Sequence, residues 1–308
     1  MDVIFIVLIV ISSLLLVFFI GLFIVYYLTF YSPHRHQNDI YHLTDATYKY
    51  CDVEEINQMI KNTFDYPYED AYISSFDHKI LHARIYEGEG TNTICIMAHG
   101  YRGTACRDFS GGAMDMIKKK YHVILIDQRG HGLSQGKSIT FGVRESKDIA
   151  SWIKYGKERF GNDKRILLSG ISMGGATVLF SAPYLSIEDK IIADCPYTDV
   201  KEIIKYSLKN MKISPSFFPF VNLSSIVFSH INLYKRKVDE YVKNSKAKIL
   251  IIHGDNDSMV PHLFSYNLYI NNKEKIQYEL FNGAEHGLSY IMDMDRYQNI
   301  VNDFLKED

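Results

Sequence analysis

The stretch "LLSGISMGGA", residues 167–176, places one serine between two glycines where an apolar run ends. The preceding "RILLS" is typical of a buried strand, and the following "GATVLFSA" is typical of a helix of small residues. Gly170, Ser172 and Gly174 thus form the pattern G-x-S-x-G at a strand-to-helix turn. Such a turn exposes the serine at the end of a sheet, and a side chain at either glycine would clash as strand and helix approach. The stretch therefore predicts a nucleophile at Ser172.

A serine nucleophile needs a base, and the base needs an acid that orients it. The run "KILIIHGDNDSMVP" offers Asp255 and Asp257 after a predicted strand, and "IQYELFNGAEHG" offers His286 after the next. These positions fit the carboxyl ends of parallel strands, where open α/β sheets build their sites. Asp255 directly follows the turn at Gly254, where an aspartate commonly bonds its own backbone, so we expect the acid at Asp257.

An oxyanion hole should complete this arrangement. One donor is expected to be the backbone N–H of Met173, directly after the nucleophile, and the second an N–H from the loop after an early strand. The run "TICIMAHGYRG", residues 93–103, supplies such a loop, and the second donor is predicted to be the N–H of Tyr101. His99 is expected to shape this loop rather than to transfer protons.

The chain from residue 69 to 308 alternates short apolar runs with helical patterns. Such runs fit strands buried on both faces of a parallel sheet, and the alternation predicts a mostly parallel central sheet flanked by helices. The runs in question are 93–98, 122–127, 165–170, 190–195 and 248–254.

Residues 198–246 interrupt the alternation and are rich in apolar side chains. We expect a helical cap over Ser172 whose inner face contacts the substrate; a second core layer is the alternative. The candidate contacts are Phe217, Phe218, Phe220 and Phe228.

Residues 3–31 contain no charged side chain and exceed the roughly 20 apolar residues that span a bilayer. The chain starts with Met1 and Asp2 and shows no small-residue cleavage site, which favours a transmembrane anchor over a cleaved signal peptide. The single Arg35 after it leaves the side of the membrane open. Residues 32–68 are expected to form a membrane-proximal linker with a short helix that begins after Asp52. A chain that starts at Ser32 is expected to be soluble and active.

From about residue 70 the sequence resembles the α/β-hydrolase superfamily, and most of all its serine hydrolases of the monoglyceride-lipase, esterase and S33-peptidase type. The matching segments are "MAHGYRG", "DQRGHGLS", "GISMGGA", "IIHGDNDSMVP" and "GAEHG". The resemblance implies an α/β-hydrolase fold with Ser172 as nucleophile, Asp257 as acid and His286 as base. It implies no role in catalysis for "DQRGHGLS", which shapes the region under the site. The early hairpin departs from the usual pattern, because His78 stands where such proteins carry a glycine.

Composition excludes several other classes. The net charge of −2 and the short basic runs do not suit a nucleic-acid-binding surface. The chain lacks the glycine spacing of dinucleotide and phosphate-binding loops, and its cysteines show no metal-ligand spacing. We expect hydrolysis of an ester-type bond, with lipid or other acyl esters as candidate substrates, at an active site without metal or cofactor. An S33-type peptidase or amidase, and a non-catalytic membrane-anchored binding protein, are the alternatives.

Overall fold

A computed structural model describes residues 3–32, 43, 48 and 51–306. Most of the predicted linker between the apolar helix and Cys51 lies outside the described residues. Within them, one sheet of eight strands forms the centre of the chain. The strands are β1 (Glu69–Ser74), β2 (Ile80–Tyr86), β3 (Thr93–Ala98), β4 (His122–Ile126), β5 (Arg165–Ile171), β6 (Lys190–Asp194), β7 (Lys248–Gly254) and β8 (Ile276–Phe281).

The strand order is β1-β2-β4-β3-β5-β6-β7-β8. Strands β3 to β8 run parallel to one another, whereas β2 pairs antiparallel with both β1 and β4. This mostly parallel sheet with flanking helices confirms the predicted α/β-hydrolase fold. The β1–β2 turn keeps its left-handed residue despite the missing glycine, because His78 itself adopts a φ of 61°.

Helices cover both faces of the sheet. The α-helices among the described residues are α1 (Val3–Thr29), α2 (Val53–Asp65), α3 (Ala105–Asp108), α4 (Gly112–Lys118), α5 (Glu145–Phe160), α6 (Met173–Phe180), α7 (Val200–Asn210), α8 (Phe218–Ser229), α9 (Val238–Lys243), α10 (Leu263–Ile270), α11 (Ser289–Met292) and α12 (Met294–Lys306).

Alternate residues of each central strand enter different cores, as the two-residue period of a strand requires. In β3, Ile94 and Ile96 join one buried cluster, while Cys95 and Met97 join the cluster on the opposite face. Burial on both faces explains why this strand reads as a continuous apolar run.

The first helix is long and apolar enough to cross a membrane, with a window of mean hydropathy 3.4. Its residues from Val3 to Ile20 expose their side chains, whereas Leu22, Tyr26 and Phe30 are buried against the rest of the chain. Directly beyond this helix, Tyr31 forms an isolated antiparallel β-bridge with Ser138. The end of α1 is therefore packed on the hydrolase domain.

The segment predicted as a cap folds into α7, α8 and α9, with a short 3₁₀ turn at Pro215–Phe217. Helix α8 packs along α1, and the Ser224 hydroxyl donates a hydrogen bond to the Leu22 carbonyl at 2.8 Å. The two apolar helices thus form a pair at one side of the sheet.

Candidate active site

Ser172, His286 and Asp257 form one chain of hydrogen bonds. The Ser172 Oγ lies 2.8 Å from His286 Nε2, and His286 Nδ1 lies 2.7 Å from Asp257 Oδ2. Ser172 follows β5, Asp257 follows β7 and His286 follows β8, so all three sit beyond the carboxyl ends of parallel strands. The structure brings together the three side chains singled out in the sequence, with the spacing that proton transfer requires.

The turn that carries Ser172 is strained and tightly packed. Ser172 has φ 56° and ψ −116°, a conformation that a residue with a side chain rarely adopts. A Cβ on Gly170 would lie 2.2 Å from the Gly174 carbonyl oxygen, and one on Gly174 would lie 1.8 Å from that of Ala98. Both glycines are needed because strand, turn and helix approach too closely for any side chain.

The Asp257 carboxylate is buried and uses both oxygens. Its Oδ2 contacts the rings of His286 and His253, the latter at 3.1 Å, while Oδ1 accepts the N–H groups of Met259 and Val260 at 2.9 and 2.7 Å. Burial alone would raise the pKa of Asp257, but hydrogen bonds from His253 and His286 hold that pKa well below its usual range. Asp257 therefore remains ionised and suited to orient His286.

Asp255 has a different position. Its Oδ1 accepts the backbone N–H of Gly283 at 2.6 Å, and no hydrogen bond joins its carboxylate to His286 among the contacts of the described residues. Asp255 thus ties two loops together at the rim of the site.

The loop after β3 lies against the nucleophile. A Cβ on Gly100 would lie 3.4 Å from the Ser172 Cβ, so the glycine allows the close approach. The Gly100 N–H donates to Asp108 Oδ2 at 2.7 Å, and Tyr101, whose amide is the expected oxyanion donor, is the next residue of this loop. Met173 is the first residue of α6, where a helix N–H has no partner inside the helix.

Two buried histidines support this loop from below. His99 Nδ1 contacts the Gly100 carbonyl at 2.8 Å, and His99 Nε2 accepts the Gln128 N–H at 3.1 Å. His131 Nε2 accepts the N–H of Arg102 at 3.2 Å. Burial lowers the pKa of His131 to about 3, so it stays neutral and can accept this bond. Gln128 and His131 belong to "DQRGHGLS", and both act on the loop rather than on a substrate.

A cavity of about 390 Å³ opens beside Ser172 and His286. Much of its wall is apolar, and part of it comes from outside the sheet domain, since Tyr48 and Ile56 precede β1. Its other side chains include two arginines and Asp108. The wall residues are Tyr48, Ile56, Gly100, Tyr101, Arg102, Arg107, Asp108, Ser110, Ile171, Met259, Gly287, Leu288 and Ile291.

The four phenylalanines expected to face the substrate lie elsewhere, and this corrects the sequence-based expectation. None of them belongs to the described wall of the cavity. Phe220 packs edge-on against Phe18 at 5.7 Å between ring centroids, and Phe228 packs against Phe23 at 5.7 Å. Phe217 contacts Phe220, and Phe218 is buried against Tyr234. The apolar pattern of α8 is explained chiefly by its packing on α1.

Several residues of the site had no assigned role in the sequence. Asp108, His253 and Arg102 act through backbone or partner contacts, which no short motif reveals. The Asp194 carbonyl accepts the Ser172 N–H at 2.8 Å, and burial raises the pKa of the Asp194 carboxyl to about 7. The position of Asp194, directly at the end of β6, was the one available signal.

One group of potential metal ligands occurs among the described residues, and it coincides with the site. Atoms of Cys195, Asp257 and His286 lie within 4.8 Å of one another. Burial raises the pKa of the Cys195 thiol well above its usual value, and a protonated thiol is a poor ligand. His286 and Asp257 already bond to each other. The donor set therefore fits a hydrogen-bonded triad better than a metal centre.

Comparison with known proteins places this geometry in a family. Uncharacterized protein YqkD of Bacillus subtilis is 26% identical over 257 residues, covering 82% of this chain and 81% of that protein. Lysophosphatidylserine lipase ABHD12 of Danio rerio is 26% identical, over 71% of this chain and 59% of its own length. An esterase of Pyrococcus furiosus, Pf2001, shares the fold with a TM-score of 0.63 at 24% identity, covering 80% of this chain and 92% of that chain.

The family model described as serine aminopeptidase, S33, matches residues 90–246. This range runs from just before β3 to the end of the insertion, and it includes the nucleophile turn. Because the match covers just over half of the 308 residues, the chain belongs to the S33 serine aminopeptidase family and is an α/β-hydrolase of the esterase, lipase and peptidase kind.

Proposed function

We propose that the protein is a serine hydrolase that cleaves carboxylic esters with apolar acyl groups, through an acyl-enzyme on Ser172. The observation that carries the proposal is the hydrogen-bonded chain from Ser172 through His286 to Asp257, at 2.8 and 2.7 Å. A degenerate binding protein on the same fold would have no need to preserve these contacts together with the strained turn. The named activity of ABHD12 supports a lipid ester as substrate.

The proposed reaction has two halves. The Ser172 Oγ attacks the ester carbonyl carbon while its proton passes to His286 Nε2, and the oxyanion is held by the N–H groups of Tyr101 and Met173. The C–O bond of the ester then breaks, and the alcohol leaves with the proton from His286. Water attacks the acyl-enzyme with His286 as base again, and the acid is released as Ser172 recovers its proton.

The charges in the cavity favour esters over peptides with a free amino terminus. An aminopeptidase must bind the substrate ammonium group with a carboxylate whose charge is not already paired with another cation. The carboxylate on the described cavity wall is Asp108, which pairs with Arg107 at 3.0 Å and accepts the Gly100 N–H. We therefore expect the full-length protein to hydrolyse p-nitrophenyl esters and to leave aminoacyl p-nitroanilides intact; efficient anilide cleavage would favour the peptidase alternative.

The apolar wall predicts a preference for longer acyl chains. Each buried methylene contributes about 0.8 kcal/mol, so four of them in the cavity give about a 10²-fold gain in kcat/KM. We expect p-nitrophenyl octanoate to exceed the acetate by about that factor. Ile291→Trp fills part of the wall and should reduce the octanoate-to-acetate ratio at least about tenfold.

Ile187→Trp is the matched control, because Ile187 is 75% exposed and does not belong to the cavity wall. This variant should keep the wild-type ratio. A preference of the wild-type protein for acetate over octanoate would contradict an acyl site at this wall.

We further propose that α1 is an uncleaved membrane anchor. A signal sequence is removed, whereas Leu22, Tyr26 and Phe30 are buried against the hydrolase domain, and the Ile139 N–H donates to the Phe30 carbonyl at 2.7 Å. Removal of α1 would expose the surface of the domain against which these side chains pack.

The full-length protein is expected to stay in the membrane pellet after alkaline carbonate extraction. Its intact mass should correspond to a chain that retains α1. Recovery of a mature chain that begins near residue 30, released into the supernatant, would show that the helix is a cleaved leader.

A further inference from the structure

The end of α1 is bonded directly to the loop that supplies the proposed oxyanion donor. The Tyr101 hydroxyl donates to the Thr29 carbonyl at 2.8 Å. The Arg102 Nη2 donates to the carbonyls of Leu28 and Tyr31, at 2.8 and 3.2 Å. Carbonyls in the last turn of a helix have no intrahelical partner, and a cation is favoured at the negative end of the helix dipole. The two side chains thus cap α1 while α1 holds them in place.

Aromatic packing reinforces the same contact. The Tyr101 ring stacks on Phe141 with centroids 5.5 Å apart and planes at 21°. Phe141 in turn packs edge-on against Phe30, the residue directly after α1, with ring centroids 5.8 Å apart. The Tyr101 side chain is therefore held between Phe141 and the end of α1.

The backbone of the loop is strained at the next residue. Arg102 has a φ of 52°, in the left-handed region, a conformation that persists only where the surroundings enforce it. The loop is held here by two contacts: His131 Nε2 accepts the Arg102 N–H, and the Arg102 guanidinium donates a hydrogen bond to the Leu28 carbonyl of α1. Loss of the α1 contacts would release one side of a strained loop.

We propose that the carbonyls of Leu28, Thr29 and Tyr31, at the end of α1 and just after it, position the oxyanion hole, with Tyr101 and Arg102 as the residues that transmit their position. The inference rests on the proposed serine hydrolase function. An oxyanion donor acts only when it lies about 2.7–3.1 Å from the developing oxyanion, and a displacement of about 1 Å can cost about 10²-fold in rate. The helix that can cross the membrane then forms part of the catalytic unit.

A chain starting at Ser32, expected from the sequence to be soluble and active, should instead have reduced activity. Such a chain lacks the carbonyls of Leu28, Thr29 and Tyr31, to which the loop is bonded. Activity should depend on α1 being in place, whatever the solubility of the truncated protein.

The test compares two single hydroxyl deletions in the full-length protein in detergent. Tyr101→Phe keeps the ring and its stacking but removes the bond to Thr29. Tyr26→Phe removes the other tyrosine hydroxyl bond between α1 and the domain, to Ser138 Oγ at 2.8 Å, without touching the loop. With p-nitrophenyl butyrate, Tyr101→Phe should lower kcat about tenfold or more and leave KM within about threefold of wild type. The same variant should bind a boronic acid transition-state analogue more weakly, by about the factor by which kcat falls. Tyr26→Phe should remain within about threefold of wild type in both constants.

Equal kcat values for the two variants, or a rise in KM alone for Tyr101→Phe, would overturn the inference. Arg102→Lys is the second variant, since it keeps the charge but loses the forked guanidinium donor. If Tyr101→Phe does not fold, a kcat of Arg102→Lys equal to that of wild type would overturn the inference. Fluorophosphonate labelling separates the two levels of the argument. If wild type is not labelled at Ser172, the proposed function fails; if it is labelled and Tyr101→Phe matches Tyr26→Phe, only the role of α1 fails.

Discussion

Replacing Ser172 by alanine is expected to abolish ester hydrolysis, with kcat falling by about 10⁶-fold. The alanine lacks the oxygen that lies 2.8 Å from His286 Nε2, so no acyl-enzyme can form. The fold should survive, because the change adds no atom to the tight turn between Gly170 and Gly174. The measurements are steady-state hydrolysis of a chromogenic ester and labelling by a fluorophosphonate, read as an intact-mass shift.

Ser151→Ala serves as the control, since Ser151 lies on α5 and its hydroxyl donates to the Lys147 carbonyl, at 3.4 Å. This variant should be labelled and active like wild type. Undiminished labelling of Ser172→Ala would end the assignment of the nucleophile.

The second large effect distinguishes Asp257 from Asp255. Asp257→Asn should lower kcat by about 10⁴-fold, because an amide nitrogen facing His286 Nδ1 favours the wrong tautomer and cannot stabilise the imidazolium. The Asp257 oxygens already accept four contacts, from two histidine rings and two backbone amides, so the amide cannot turn to satisfy all of them.

Asp255→Asn should change kcat less than about threefold, since the new side chain keeps an oxygen that accepts the Gly283 N–H. Both variants are compared with one ester and with thermal unfolding to confirm the fold. A dead Asp255→Asn beside an active Asp257→Asn would show that the triad is misassigned.

The positions of the proposed triad residues Ser172, Asp257 and His286 follow from local patterns that need no knowledge of distant contacts. Strands β5 and β7 are buried apolar runs and β8 is a half-buried strand, and the residues after each of the three must meet at one edge of a parallel sheet. Because the turn begins at Gly254, the sequence also predicts that Asp255 belongs to the turn, which agrees with its position directly after the end of β7 and its bond to Gly283.

Helix α8 shows a kind of contact that such patterns cannot predict. Its phenylalanines predict burial, and burial is observed for Phe218, but an apolar side chain does not specify the surface that covers it. In the structure α1 takes that place, and Phe18 and Phe23 are the partners of Phe220 and Phe228.

The fold class, the sharp turn at Ser172 and the proposed order of serine, acid and base could be predicted from the residues alone, because each depends on residue types in local patterns. Three features could be found only in the folded chain: Tyr48 and Ile56 line the cavity, Asp108 and His131 support the loop after β3, and α1 bonds to Tyr101 and Arg102. Most of these contacts join residues far apart in the sequence, and the hydrogen bonds among them use backbone carbonyls or amides. Every residue carries such groups, so the side-chain pattern holds no record of which ones meet.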